Sequence, residues 1–258
     1  MQLFKKKEKK EKEDDKAEMP FLDHLEELRW RIIKSLIAIV AFTVITFFFS
    51  DYLLHLLLLP GQRMNPPLKM QVLKVQTPFM VKLEIALVAG VIFSLPVIFY
   101  QIWKFVSPGL LKNEKTIVPA LAGSTILCFG IGTIFAYLVI IPYALDFFRD
   151  MTYQDIDFNI SLDFYLGFVL RLIVIFGLVF ELPMLSFILS KIGILTPRFM
   201  RKYRRYAIVL AFILGSILTP PDPMTQLFLA VPLVILYELS ILVSYIFAPK
   251  EKETIVKK

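Results

Sequence analysis

The sequence predicts an all-α membrane protein: six transmembrane helices, both termini in the cytoplasm, and a concave bundle in which helices 5 and 6 are short. Three observations lead there. Apolar residues make up 57% of the 258 residues, and mean hydropathy is +0.68, beyond the apolar share of ordinary soluble domains. Charged residues punctuate the apolar runs at intervals that suit a bilayer. The Lys and Arg residues are also unevenly placed. The segment through Lys34 holds 10, the loop after the second run 3, the loop after the fourth 6 and the C-terminal tail 4, against 4, 1 and 0 in the segments between. The positive-inside rule places the richer segments in the cytoplasm. The net charge of +7 therefore reads as topology. No basic patch is interleaved with aromatics, so nucleic acid is not an expected partner.

The chain divides into a charged tail (1–17), a six-span domain (18–248) and a second cytoplasmic tail (249–258). The first tail is rich in Lys, Glu and Asp and is expected to be solvated and disordered. No small-residue cleavage site follows the first apolar run, so no cleavable signal peptide is expected. Phe21, Leu25, Leu28 and Ile32 repeat at helical spacing, which predicts an amphipathic helix lying on the cytoplasmic face. Span 1 covers Ile32 to Ser50 and span 2 covers Ile85 to Trp103. Span 3 lies within Thr116 to Leu145, with Pro119 and Pro142 near its ends, and span 4 covers Tyr165 to Ser190. Span 5, Tyr206 to Thr219, has about 21 Å of helix, short of the roughly 30 Å core. Asp222-Pro223 fits an N-cap followed by proline at the first helical position of span 6. A return of equal length brings Glu238 to the level of Arg204 and Arg205, where it can pair with one of them. Such a hairpin leaves a thinned membrane edge beside it, the alternative being simple mismatch buried by neighbouring spans.

Glu181 stands out because it lies inside the apolar run Leu172 to Leu189, ten residues from both Arg171 and Lys191. Those two basic residues span about 30 Å of helix, which puts Glu181 near the membrane midplane. An acidic side chain there costs about 2.5–3.5 kcal/mol on insertion scales. Arg171 cannot touch it on one straight helix, being about 15 Å away along the axis. The functional expectation is a polar docking point or proton carrier in a concave bundle. The structural alternative is a protonated carboxyl hydrogen-bonded to a neighbouring helix. Pro183 removes a backbone donor and is expected to kink the helix there.

Other candidates are weaker by spacing. Asp23, Glu26 and Glu27 share the polar face before span 1, and an i,i+4 pair between Glu27 and Arg31 is the simpler expectation. A carboxylate free of that pair would instead grip a guanidinium in bidentate fashion. Glu114 is the only acid of the loop Lys104 to Lys115. Asp146, Asp150, Asp155, Asp157 and Asp163 form an acidic outer loop without calcium-loop spacing, so no metal is expected. His24 and His55 are the only histidines, and no protease-type His-Glu-x-x-His motif is present. Cys128 is the single cysteine and excludes an intrachain disulfide. No catalytic residue and no cofactor is expected, and no Gly-rich phosphate loop exists. No internal repeat suggests a two-half transporter.

Four segments together resemble the TatC family, the polytopic core of the twin-arginine protein translocase. They are His24-Leu-Glu-Glu-Leu-Arg-Trp-Arg31, Pro96-Val-Ile-Phe-Tyr-Gln-Ile-Trp103 with Pro108 and Asn113-Glu-Lys115, Phe176-Gly-Leu-Val-Phe-Glu-Leu-Pro183, and Leu218-Thr-Pro-Pro-Asp-Pro-Met-Thr-Gln226. The similarity runs from about Pro20 to Phe247. Asn113 stands where a histidine is expected, and Arg171 lies outside the motif. The resemblance implies a receptor, not an enzyme, in a prokaryotic inner membrane. It binds the Arg-Arg pair of signal peptides on folded cargo, and the proton-motive force drives transport. Glu27 and Glu114 match the acidic positions implicated in recognition, with Arg29 beside Glu27. Glu181 is expected to meet the transmembrane helix of TatA or TatB, and Gln226 to add a second polar contact. Pro96, Pro183 and Asp222 fall in these segments as structural or coupling residues. Copies of the chain are expected to associate in the working complex. The rival from another class is a proton-coupled small-solute transporter using Glu181. It needs a substrate pocket and alternating halves, which six spans without a repeat do not offer.

Overall fold

The computed structural model describes the backbone of residues 2–106, 118–153, 158–218 and 223–247, and the side chains of 24–105, 121–153, 158–217 and 226–247. In order the elements are α1 (Gln2–Phe48), α2 (Ser50–Gln62), β1 (Lys69–Gln71), α3 (Thr77–Val106), α4 (Val118–Phe135) and a π-helical turn (Ala136–Ile140). There follow α5 (Ile141–Asp150), β2 (Asn159–Ser161), α6 (Leu162–Val179), α7 (Leu182–Lys191), α8 (Pro197–Leu218) and α9 (Pro223–Phe247). The first tail, 1–17, belongs to the part of α1 whose side chains lie outside the described residues. The second tail lies outside them as well.

Helices α1 and α3 run antiparallel in close contact. A Cβ on Gly90 of α3 would stand 2.6 Å from the Thr43 Cα of α1. Only glycine admits so close a backbone approach. One turn on, the Thr46 hydroxyl lies 2.7 Å from the Ala86 carbonyl and donates into α3. At one end of the molecule α2 and the two strands form a cap. β1 and β2 pair in parallel, Met70 opposite Ile160, and fix the starts of α3 and α6 side by side. The Tyr165 hydroxyl donates to Leu57 O (2.9 Å) and accepts from Gly61 N (3.3 Å), which holds α2 against α6. Val81, Ile85, Ile141, Leu145, Leu166, Val169, Leu172 and Phe176 form the main core beneath this cap. Trp103, Leu121, Ala122 and Ile188 form a second core at the opposite end.

Five helical stretches are long and apolar enough to cross a membrane among the described residues: His24–Phe48, Thr77–Phe105, Leu121–Asp150, Leu162–Lys191 and Gln226–Phe247. These contain the expected spans 2, 4 and 6 and overlap span 3; span 1 ends at Phe48, short of the expected Ser50, which opens α2. The fifth expected span falls within α8 up to Leu218, Thr219 lying outside the described residues; the opening turns of α8 carry Arg198, Arg201, Lys202, Arg204 and Arg205. Helix α8 is longer than expected, at 22 residues, and α9, at 25, exceeds the short return but ends at Phe247, the end expected for a span 6 of about Leu227 to Phe247. The basic turns are helical too, and α9 continues past Glu238 to Phe247 through Pro232, so only the apolar part of α8 is short. α9 does begin at Pro223, and Glu238 does pair with Arg204, at 2.7 Å. The amphipathic segment before span 1 is not a separate surface helix. α1 continues through it without a break, since no glycine or proline interrupts His24 to Phe48.

Gly90→Ala is expected to force α1 and α3 apart and cost about 1–3 kcal/mol, as overpacking does. Thermal unfolding in detergent checks this, with Gly123→Ala as the control because nothing lies within 4 Å of its added Cβ. Equal melting temperatures for the two variants contradict the packing described.

Candidate functional site

Glu181 sits in a break between two helices. α6 ends at Val179, α7 starts at Leu182, and Phe180 and Glu181 fill the gap. Pro183, in the first turn of α7, lacks the N–H that would continue the ladder back to Val179. The backbone bridges the gap by bonds from Glu181 N to Leu178 O (3.1 Å) and from Leu185 N to Glu181 O (2.8 Å). The expected kink is thus present as an interruption.

The Glu181 side chain is buried, at 4% exposure. Neither carboxylate oxygen has a hydrogen-bond partner among the described residues. The backbone of Phe129 in α4 approaches the carboxyl without completing a hydrogen bond to it. The carboxyl is also not open to a hollow surface in this conformation. Helix α4 covers the break. A Cβ on Gly177, one turn before Glu181, would stand 2.5 Å from the Phe129 ring. A Cβ on Gly132 would stand 2.5 Å from the Phe176 carbonyl oxygen. These two glycines bring α4 onto α6 where the ladder fails. A buried acceptor without a partner costs about 1–3 kcal/mol, and more when charged. Arg171 does not relieve it, because its Nε donates to Gly167 O at 2.7 Å. Its guanidinium and the Glu84 carboxylate of α3 instead approach the same face of Gly167.

A second site joins α1 to α3 at the end opposite the strands. Glu27 lies one turn before Arg31, and Arg31 Nη2 donates to Glu27 Oε1. Arg31 Nη1 donates to Gln101 Oε1 of α3 at 3.3 Å, while its Nε is buried without a partner among the described residues. His24 Nδ1 stands 3.7 Å from Glu27 Oε2, and the His24 ring stacks on Phe105 with centroids 4.3 Å apart. The Arg31 side chain is 10% exposed and that of Glu27 39%. The i,i+4 pair read from spacing is therefore real, and it is anchored across helices. Beside it, Leu28, Ile32, Leu36, Ile39, Ile98 and Ile102 line an apolar groove of ≈ 330 Å³. Arg29, two residues from Arg31, is exposed and takes no part in the pair.

The remaining candidates lie elsewhere. Glu114 and Asp222 lie outside the described residues. Gln226 is partly buried, and its Nε2 donates to Phe212 O at 2.9 Å, tying α9 to α8. Pro96 lies inside α3, which continues past it. Glu27, Glu181 and Gln226 thus occupy three separate places. Gln101 and Phe105 were missed as members of the Glu27 site. Only their position inside the span 2 segment hinted at them, since what matters is their contact with α1.

Comparison with known proteins agrees with this architecture. The family described as Sec-independent protein translocase protein (TatC) matches residues 23–232. A Sec-independent protein translocase protein TatC of Aquifex aeolicus is 39% identical over 91% of this chain and 98% of its own length. The protein of that name from Escherichia coli is 34% identical over 90% of each chain. A crystal structure described as the twin arginine translocase receptor TatC superposes with a TM-score of 0.80 at 38% identity, covering 86% of this chain and 97% of the other.

Replacing the buried, unpartnered carboxyl should not harm the fold. Glu181→Leu is expected to keep or raise the unfolding temperature in detergent, by up to about 1–3 kcal/mol of stability, and Glu181→Gln to change it less. A marked loss of stability in Glu181→Leu with retention in Glu181→Gln would reveal a structural hydrogen bond instead.

Proposed function

This chain belongs to the TatC family and is a core component of the twin-arginine protein translocase, and we propose that within that complex it is the receptor for the signal peptide. It is a multi-pass membrane protein. In the proposed arrangement it crosses the inner membrane six times, α8 supplying the short fifth crossing and both termini facing the cytoplasm. The strand-bearing cap then faces outward, and the His24 end meets folded cargo arriving from the cytoplasm. This orientation follows from the bias of Lys and Arg between the loops.

Glu27, with Glu114 of the following loop, takes the guanidinium groups of the Arg-Arg pair, and Arg29 borders the site. The observation that carries this reading is the Arg31–Glu27 contact. The carboxylate already accepts a guanidinium donor, at a half-exposed position beside an apolar groove. Signal peptides join a positive segment to an apolar one, and the site offers a carboxylate and an apolar groove side by side. Arg supplies a planar fork of donors that Lys cannot reproduce. Glu181 is proposed to receive a polar group from the single transmembrane helix of TatA or TatB once the helices covering it part. Gln226 then adds a contact only by releasing Phe212. Transport is driven by the proton-motive force.

A peptide bearing the Arg-Arg pair is expected to bind the detergent-solubilised protein more tightly than its Lys-Lys counterpart. Glu27→Ala and Glu114→Ala should each weaken it severalfold, measured by titration with a labelled peptide. Equal binding of the two peptides contradicts the receptor reading.

A further inference from the structure

We infer that Arg31 is a specificity-determining residue of the signal-peptide site, a resident guanidinium that cargo arginine must displace from Glu27. This rests on the receptor reading above and asks what the site does before cargo arrives. Three observations carry it. Glu27 is not a bare carboxylate, since its Oε1 accepts from Arg31 Nη2. Arg31 is held in place from the other helix by Gln101, at 3.3 Å. Its side chain is nine-tenths buried while Glu27 is not, at 10% and 39% exposure. The carboxylate therefore faces the approaching ligand, and its internal partner lies behind it.

Binding at such a site is an exchange, and specificity is the difference between the incoming and the outgoing partner. A cargo guanidinium replaces the Arg31 guanidinium by like-for-like chemistry, so the first arginine brings little net gain. Arg31 then keeps Gln101 but loses its counter-charge, and a buried charge without its partner is unfavourable. That penalty sets a threshold. A lysine ammonium, a point charge without the fork, does not clear it. A second cargo arginine contributes the additional contacts that do. The demand for two arginines thus comes partly from the occupant already in the site, not only from the number of carboxylates offered. Arg29 cannot act in this way, because residues two apart on a helix do not share a face.

The experiment titrates three otherwise identical peptides, carrying Arg-Arg, Arg-Lys or Lys-Lys, against the full chain in detergent and against Arg31→Gln and Arg31→Lys. In Arg31→Gln, the Arg-Lys and Lys-Lys peptides are expected to gain affinity by roughly tenfold relative to Arg-Arg, the step that a single lost ion-pair competitor can supply. Arg31→Lys, which keeps the charge and most of the bulk, should fall between. Relative affinities that stay as in the unmodified chain, with all three peptides weakened together, overturn the inference and make Arg31 only structural. Melting curves identify a variant that has not folded, and the ratio in Arg31→Lys then decides: a ratio equal to that of the unmodified chain is also overturning. If the unmodified chain shows no preference for Arg-Arg, the receptor reading itself fails and takes this inference with it.

Discussion

A carboxyl buried in an apolar span, with no full hydrogen bond among the described residues, is the constraint around which the rest of this structure is arranged. Glu181 would be expensive on an intact helix in lipid. It is more so where the helix is broken, because exposed backbone groups in hydrocarbon also lack partners. The chain tolerates both defects by covering them with protein. Gly132 and Gly177 let α4 lie against α6, and Phe129 seals the gap. Pro183 makes the break permanent, since no rearrangement of the backbone can restore its missing N–H. The proposed docking of a partner helix would supply a contact that no described residue makes.

The second functional region follows the opposite principle. At the His24 end the polar groups are paired, and their partners come from two antiparallel helices. The close crossing at Gly90 and Thr43 sets the register of α1 against α3, and that register brings Gln101 and Phe105 opposite Arg31 and His24. The helix break is thus an unsatisfied group in an apolar setting, and the His24 end a satisfied group in a half-open one. In the proposed roles, the first would gain a polar contact, and the second would give one up before making another.

Much of this was legible in the residues. The apolar runs and their charged borders marked the spans, since burial in lipid demands composition before any tertiary contact. Counting equal lengths from the Pro223 turn placed Glu238 beside Arg204, because a helix has a fixed rise. Pro183 announced the interruption at Glu181. The full length of α8 was not legible, because Arg-rich turns are as compatible with helix outside the hydrocarbon as apolar ones are within it. The continuity of α1 was missed for a related reason: amphipathic spacing is the same whether a helix lies on a surface or runs on into a span. The short strands and the Gln101 partner depend on contacts between distant segments, and no local pattern encodes them. Arg171 resisted reading from sequence because the carboxylate beside it, Glu84, belongs to another helix.

The most direct measurement places a photoreactive side chain at position 181 in membranes that hold the assembled translocase. Crosslinks are mapped with and without a twin-arginine precursor. The account predicts contacts to a single-helix partner in the assembled complex, alongside contacts to α4 near Phe129. Crosslinks confined to α4 under every condition would contradict it, because the carboxyl would then be sealed inside the chain and have no partner to meet.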